Sequence, residues 1–181
     1  MKTLVIHPTD ASTEFLTDIY TDKPDWTIIK HAVNKEYLMQ QIGEHDRIVL
    51  LGHGSPHGLF GFGGYVIDET YGELLATKKC INIWCHAVYF GIKHKLNGFF
   101  TDMFISEKAE ANYCNIEGTE EEINYSNILF STLLKGLVDT ESLIKPLKMK
   151  YQSSTNSIIK YNYSKLYEAN FSQEKSMLFT S

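Results

Sequence analysis

Two stretches of the sequence end in residues with chemistry to offer. In IVLLGHGSPHG, residues 48–58, four apolar residues run straight into Gly52, His53 and Gly54. In KCINIWCHA, residues 79–87, a second apolar run ends on Cys85. A thiol needs help to attack a carbonyl, because only the thiolate is strongly nucleophilic. An adjacent imidazole takes the proton or holds it as an ion pair. It can then protonate a departing amine, and positioned proton transfer of this kind is worth roughly 10²–10⁴-fold in rate. Gly54 offers a backbone N–H with no Cβ to obstruct a substrate. With the amide of Cys85 it would form an oxyanion hole, worth about 10²–10³-fold.

For His53 and Cys85 to meet, the strands that deliver them must be neighbours running the same way. Their spacing of 32 positions suits a crossover built from a hairpin and one helix. The rest of the chain predicts a sheet of that kind. Residues 2–7 read as a strand, followed by a short helix carrying Phe15, Leu16 and Ile19. DWTIIKHAV is a second strand, and NKEYLMQQIGEH a helix with Asn34 as N-cap and Gly43 as its stop. DRIVLLGHG is a third strand, apolar on both faces. Residues 58–67 predict a hairpin turning on Gly63-Gly64, and DETYGELLAT a short helix. CINIWCHA, VYFGIKHKLN and GFFTDMFIS then read as strand, helix and strand. TEEEINYSNILFSTLLKGLV is a helix with a Thr119/Glu122 capping box and one apolar face. After about residue 140 the chain turns Tyr/Ser/Asn-rich, which fits a late strand and helix, a flap or a partner surface. Strands alternating with helices imply right-handed crossovers and a mostly parallel sheet in one domain, residues 1–181. Function in such sheets sits beyond the carboxyl ends of the strands.

Composition narrows the partners. The net charge is −5 and the pI near 5.8, which argues against nucleic acid or anionic lipid as a nonspecific partner. No apolar run approaches the roughly 20 residues of a membrane span, and the N-terminus lacks a signal-peptide pattern. Cys80, Cys85 and Cys114 are an odd count without CxxC spacing, so a disulfide framework is not expected and a cytoplasmic location is. The scheme needs no cofactor and no metal.

Other patterns in the same segments compete. His53 and His57, with Cys85 and His86, are a candidate zinc set for a hydrolase, although GHGSPHG cannot be helical and the nearest carboxylates are Asp68 and Glu69. The segment fails as a serine-hydrolase elbow, because His53 and His57 stand where glycines are required around Ser55. Ser55 either lines the site or is simply a polar loop residue. Trp84 either touches substrate or belongs to the core.

IVLLGHGS, followed by a hairpin, a helix and INIWCHA, resembles the caspase-fold cysteine peptidases, the group of caspases, metacaspases, gingipains, separase, legumain and bacterial CHAT proteases. The resemblance implies a caspase-like three-layer αβα sandwich, with a mostly parallel central sheet and a small hairpin after the third strand. It implies His53 as base, Gly54 at the oxyanion and Cys85 as nucleophile of an endopeptidase. CHA is close to the Cys-His-Ser of metacaspases, with Ala87 in place of Ser. Metacaspases carry an acidic residue two positions before the Cys, where this chain has Ile83. A second acidic residue follows their first strand, and Asp10 in HPTDAST has that position. The resemblance makes Asp10 a selector for Lys or Arg before the scissile bond; a surface Asp capping the helix at Ser12 is the simpler reading of the residue. It also implies a protein substrate, and control by homodimerisation, a partner protein or a small signal molecule, in a bacterial antiviral or cell-death setting. The tight match covers about 15 residues, and the last 40 lie outside it. The alternative is a non-catalytic module that keeps the sheet and uses the cleft to hold a ligand or partner.

Overall fold

The computed structural model describes residues 1–140, 142–151 and 153–171. Six strands form the main sheet: β1 (Thr3–Ile6), β2 (Thr27–Ile29), β3 (Arg47–Leu51), β7 (Lys79–Ile83), β8 (Asn97–Thr101) and β9 (Leu166–Ala169). Their order across the sheet is β2-β1-β3-β7-β8-β9. All neighbours are parallel except β9, which runs antiparallel to β8. A small antiparallel sheet of β4 (Gly54–Ser55), β5 (Gly58–Gly61) and β6 (Gly64–Ile67) is inserted after β3.

Alternation along the strands sorts their side chains into two cores. Val5, Val49, Leu51, Ile81, Ile83 and Phe99 face one side. There they meet a 3-10 segment (Glu14–Ile19), α5 (Glu120–Leu137), α6 (Ile144–Tyr151) and α7 (Ser157–Ser164), through Leu16, Phe130, Leu147 and Ile159. Leu4, Ile6, Ile48, Leu50, Cys80 and Phe100 face the other side. They meet α1 (Lys35–Glu44), α2 (Gly72–Ala76) and α3 (Ala87–Lys93), through Leu38, Leu75 and Phe90. The result is an α/β fold of three layers, with helices on both faces of a mostly parallel sheet. Burial on both faces is why β1 and β3 carry the uninterrupted apolar runs Leu4–Ile6 and Ile48–Leu51.

Several local expectations hold. Asn34 caps α1 by accepting from the Tyr37 amide at 2.8 Å. Thr119 and Glu122 form the reciprocal capping box of α5. Others need correcting. Gly43 lies inside α1, which runs to Glu44. The hairpin turns on Phe62-Gly63, both at positive φ, while Gly64 already belongs to β6. The two-residue loop with positive φ matches the strand twist better than a turn placed one residue later. A further helix, α4 (Lys108–Tyr113), follows β8 and has no counterpart in the sequence reading. The region after 140 supplies two helices and the closing antiparallel strand; residues 172–181 lie outside the described residues.

Candidate active site

The register of the sheet brings the two candidate residues to one edge. Leu51 of β3 pairs with Ile83 of β7, so His53 and Cys85 each stand two residues beyond a matched pair. Pairing persists one step further, where the Gly52 amide donates to the Ile83 carbonyl at 3.0 Å. Gly52 then adopts φ of +141°, a conformation L side chains rarely take, and turns the chain from the main sheet into β4. Both residues wall one narrow cleft of about 20 Å³, together with Thr13, Phe15, Trp84, Phe104 and Glu110. Beside it, and sharing Phe15 and Ser106, lies a wider groove of about 780 Å³ between the 11–15 segment, residues 106–108 and α5.

His53 is held on one nitrogen. Its Nε2 lies 2.7 Å from Ser12 Oγ and 3.1 Å from Asp10 Oδ2. The Ser12 hydroxyl donates to Asp10 Oδ1 at 2.9 Å, so its oxygen is free to accept. The consistent assignment is a proton on Nε2, donated to Ser12 and Asp10. Nδ1 makes no hydrogen bond with the described residues and is left as the basic nitrogen. Asp10 is itself braced by the amides of Ser12 and Thr13 and by the Thr13 hydroxyl. Partial burial works against its ionisation. The Ser12 hydrogen bond, the His53 imidazole and the Thr13 bonds outweigh that and hold the carboxyl below its usual range.

Cys85 faces the other way. Its Sγ donates to the Phe104 carbonyl at 3.7 Å and to Glu110 Oε1 at 3.5 Å. No hydrogen bond joins it to His53. Burial pushes the thiol up to about 12, and the Glu110 carboxylate adds to the rise. At neutral pH the sulfur is therefore protonated. Glu110 is fixed by accepting from Ser106 N, Ser106 Oγ and Glu107 N through Oε2. The 104–106 segment, which supplies two of those donors, is pinned in turn. Asn162 of α7 bonds both the amide and the carbonyl of Ile105, at 2.7 and 2.8 Å. Asn127 of α5 donates to the Ser106 carbonyl at 2.8 Å.

The backbone amides of Gly54 and Cys85 have no hydrogen-bond partner among the described residues; Cys85 walls the cleft, and Gly54 follows His53 without lining it. In an antiparallel ladder, hydrogen-bonded and non-bonded pairs alternate. The Phe60 amide bonds the His53 carbonyl at 2.8 Å, so the next pair, Gly54 with Leu59, is non-bonded and the Gly54 N–H points away from β5. The Cys85 amide, beyond the end of β7, has no hydrogen-bond partner among the described residues. A Cβ at Gly54 would fall 2.0 Å from Trp84 Cδ1, so no other residue fits there without displacement.

The remaining candidates are distributed differently. Trp84 is 2% exposed and walls the cleft from within the core, with its indole N–H donating to the Ser55 carbonyl at 3.0 Å. It is thus a core residue that also borders the cleft. Ser55 does not wall the cleft: its hydroxyl is taken by Tyr65 and by the His57 amide. His57 turns to Glu69 at 3.3 Å. Among the described residues no three His, Cys, Asp or Glu side chains come together as a metal-ligand set. His86 does not continue the strand. It takes φ of +71°, and its Nδ1 pairs with the buried Asp102 at 2.7 Å. A non-glycine residue at positive φ directly after Cys85 is the kind of local strain that gathers at functional sites. Glu110, Ser12 and Asp102 escaped the sequence reading, since only tertiary folding brings them to the two strand ends. No family model, no curated protein and no solved structure matches the chain.

Proposed function

We propose that the chain is a caspase-like cysteine endopeptidase, with Cys85 as nucleophile and His53 as proton carrier, held at rest in the structure described. The observation that carries the reading is the clamp of Asp10 and Ser12 on His53 Nε2, beside a thiol on the same cleft. A clamp of this kind fixes the tautomer and the ring orientation and leaves Nδ1 without a proton, able to accept one. Catalysis then needs the Cys85 sulfur to turn from Glu110 toward His53. The sulfur attacks the peptide carbonyl, a C–S bond forms, and its proton passes to His53 Nδ1. As the C–N bond breaks, His53 gives that proton to the departing amine. Water, deprotonated by His53, cleaves the thioester and restores the thiol. The free amides of Gly54 and Cys85 suit the oxyanion of both tetrahedral intermediates. The wider groove beside the cleft offers room for an extended peptide. The contacts of Asp10 favour service to His53 over selection of a basic substrate residue, because both carboxylate oxygens are engaged.

The raised thiol favours a second reading, a binding module with a passive cysteine. A peptide-library digest and iodoacetamide labelling of Cys85 separate the two. The endopeptidase predicts cleavage that disappears in Cys85→Ala and in His53→Ala, and labelling slowed by His53→Ala. Cleavage by Cys85→Ala, or equal labelling with and without the imidazole, would sink it.

A further inference from the structure

We infer that Trp84 is a positioning residue, which sets the Gly54 and Cys85 amides relative to each other so that they converge on one oxyanion. The inference rests on the cysteine-peptidase reading of the site. The two amides belong to chain segments 31 residues apart, on different sheets. Two donors stabilise one oxygen only when both lie within hydrogen-bond reach of the same point, about 2.7–3.1 Å. Something must therefore tie the start of β4 to the end of β7.

Trp84 makes that tie twice. Its ring lies against the Gly54 Cα, where an added Cβ would stand 2.0 Å from Cδ1 and 2.5 Å from Cγ. Its indole N–H donates to the carbonyl of Ser55, the next peptide along. The two contacts grip the chain on both sides of the Gly54–Ser55 peptide bond. The residue holding them is bonded directly to Cys85, so the grip and the second amide share one rigid backbone.

The other end of the tie is anchored as firmly. The Trp84 carbonyl accepts from Thr101 Oγ1 of β8 at 2.8 Å and from the Ala87 amide at 3.2 Å. Its ring meets Phe90 of α3 nearly edge-on, with centroids 5.8 Å apart. The indole thus spans from the sheet and α3 to the inserted hairpin. A tryptophan that only filled space would also bury its ring. What distinguishes this one is where its single polar atom is spent: on the hairpin backbone that presents Gly54. Gly54 is the matching half of the device, since any side chain there would force ring and backbone apart.

Two small probes isolate the effect. Acylation of Cys85 by p-nitrophenyl acetate passes through an oxyanion; alkylation by iodoacetamide does not. Trp84→Phe keeps an aromatic ring, though a smaller one, and removes the N–H. The variant is expected to acylate about tenfold more slowly while its alkylation rate stays within about twofold of wild type, a fraction of the full worth of an oxyanion donor. Mass spectrometry assigns the modified cysteine, which keeps Cys80 and Cys114 out of the rates. Equal acylation by wild type and Trp84→Phe overturns the inference. So does a parallel fall in both rates, which is the mark of a merely loosened core. His53→Ala is the control for the reading beneath it: if its Cys85 acylates as fast as wild type, the peptidase reading falls. If that control slows and Trp84→Phe does not, the positioning role alone falls.

Discussion

A thiol beside a carboxylate is the least reactive form a cysteine can take, and Cys85 is in that form. The Glu110 carboxylate opposes a second negative charge 3.5 Å away, on top of the cost of burial. Glu110→Gln removes the charge and keeps an oxygen for the Ser106 and Glu107 amides. Loss of a neighbouring negative charge lowers the thiol pKa toward its ordinary value, so more thiolate is present at any given pH. Iodoacetamide labelling of Cys85 at pH 8 should rise about tenfold for each unit the pKa falls. An unchanged rate would mean that burial alone sets the resting state. The arrival of His53 and Cys85 at one sheet edge was legible in the sequence, because each ends an apolar run and each sits next to a chain-turning feature. Their partners were not. Ser12 comes from the segment after β1 and Glu110 from a six-residue helix, and nothing local marks either as a partner; the sequence singled out Asp10, but as a substrate contact rather than a partner of His53.

At the scale of elements, the site depends on segments that carry no chemistry. The segment after β8 is shaped by Asn162 of α7, whose amide satisfies both backbone groups of Ile105 and also donates to Ser126. Asn162→Ala would strand buried backbone groups, with a cost of roughly 1–3 kcal/mol for each unsatisfied group. Two measurements check this: a lower denaturation midpoint, and faster amide exchange at Ile105 than elsewhere in the sheet. Protection at Ile105 equal to wild type would show that the segment keeps its own shape. Most helix and strand positions up to residue 138 were readable because their periods differ and their caps are explicit, as at Asn34 and Thr119; α4, only six residues long, was not. The stretch after 140 resisted reading for a physical reason. α7 buries Ile158, Ile159 and Asn162 on a short face among tyrosines and serines, too few apolar positions to declare a period.

At the scale of the whole molecule, stability has a built-in dependence on pH. His7 is fully buried at the end of β1, with its Nδ1 2.8 Å from the Tyr20 hydroxyl. Burial, with help from the Lys30 charge, lowers its pKa from 6.5 to about 3. The unfolded chain therefore binds a proton across that interval when the folded chain does not. Folding stability from this group is complete above pH 6.5 and is lost as pH falls toward 3. The slope reaches about 1.4 kcal/mol per pH unit. Denaturant titrations at pH 4, 5, 6 and 7 would register it, and His7→Gln should flatten the profile by that slope. A profile unaltered by the substitution would assign acid sensitivity to other groups.

The sheet also has a direction in time. β3 and β7, which deliver the imidazole and the sulfur, are both translated before residue 84, whereas the asparagine that fastens the loop under the sulfur is residue 162 and the antiparallel strand that finishes the sheet is 166–169. A ribosome-bound chain can hold both reactive groups long before it can hold them in register. Under the peptidase reading, the site would be complete only once residues 162–169 have joined the fold.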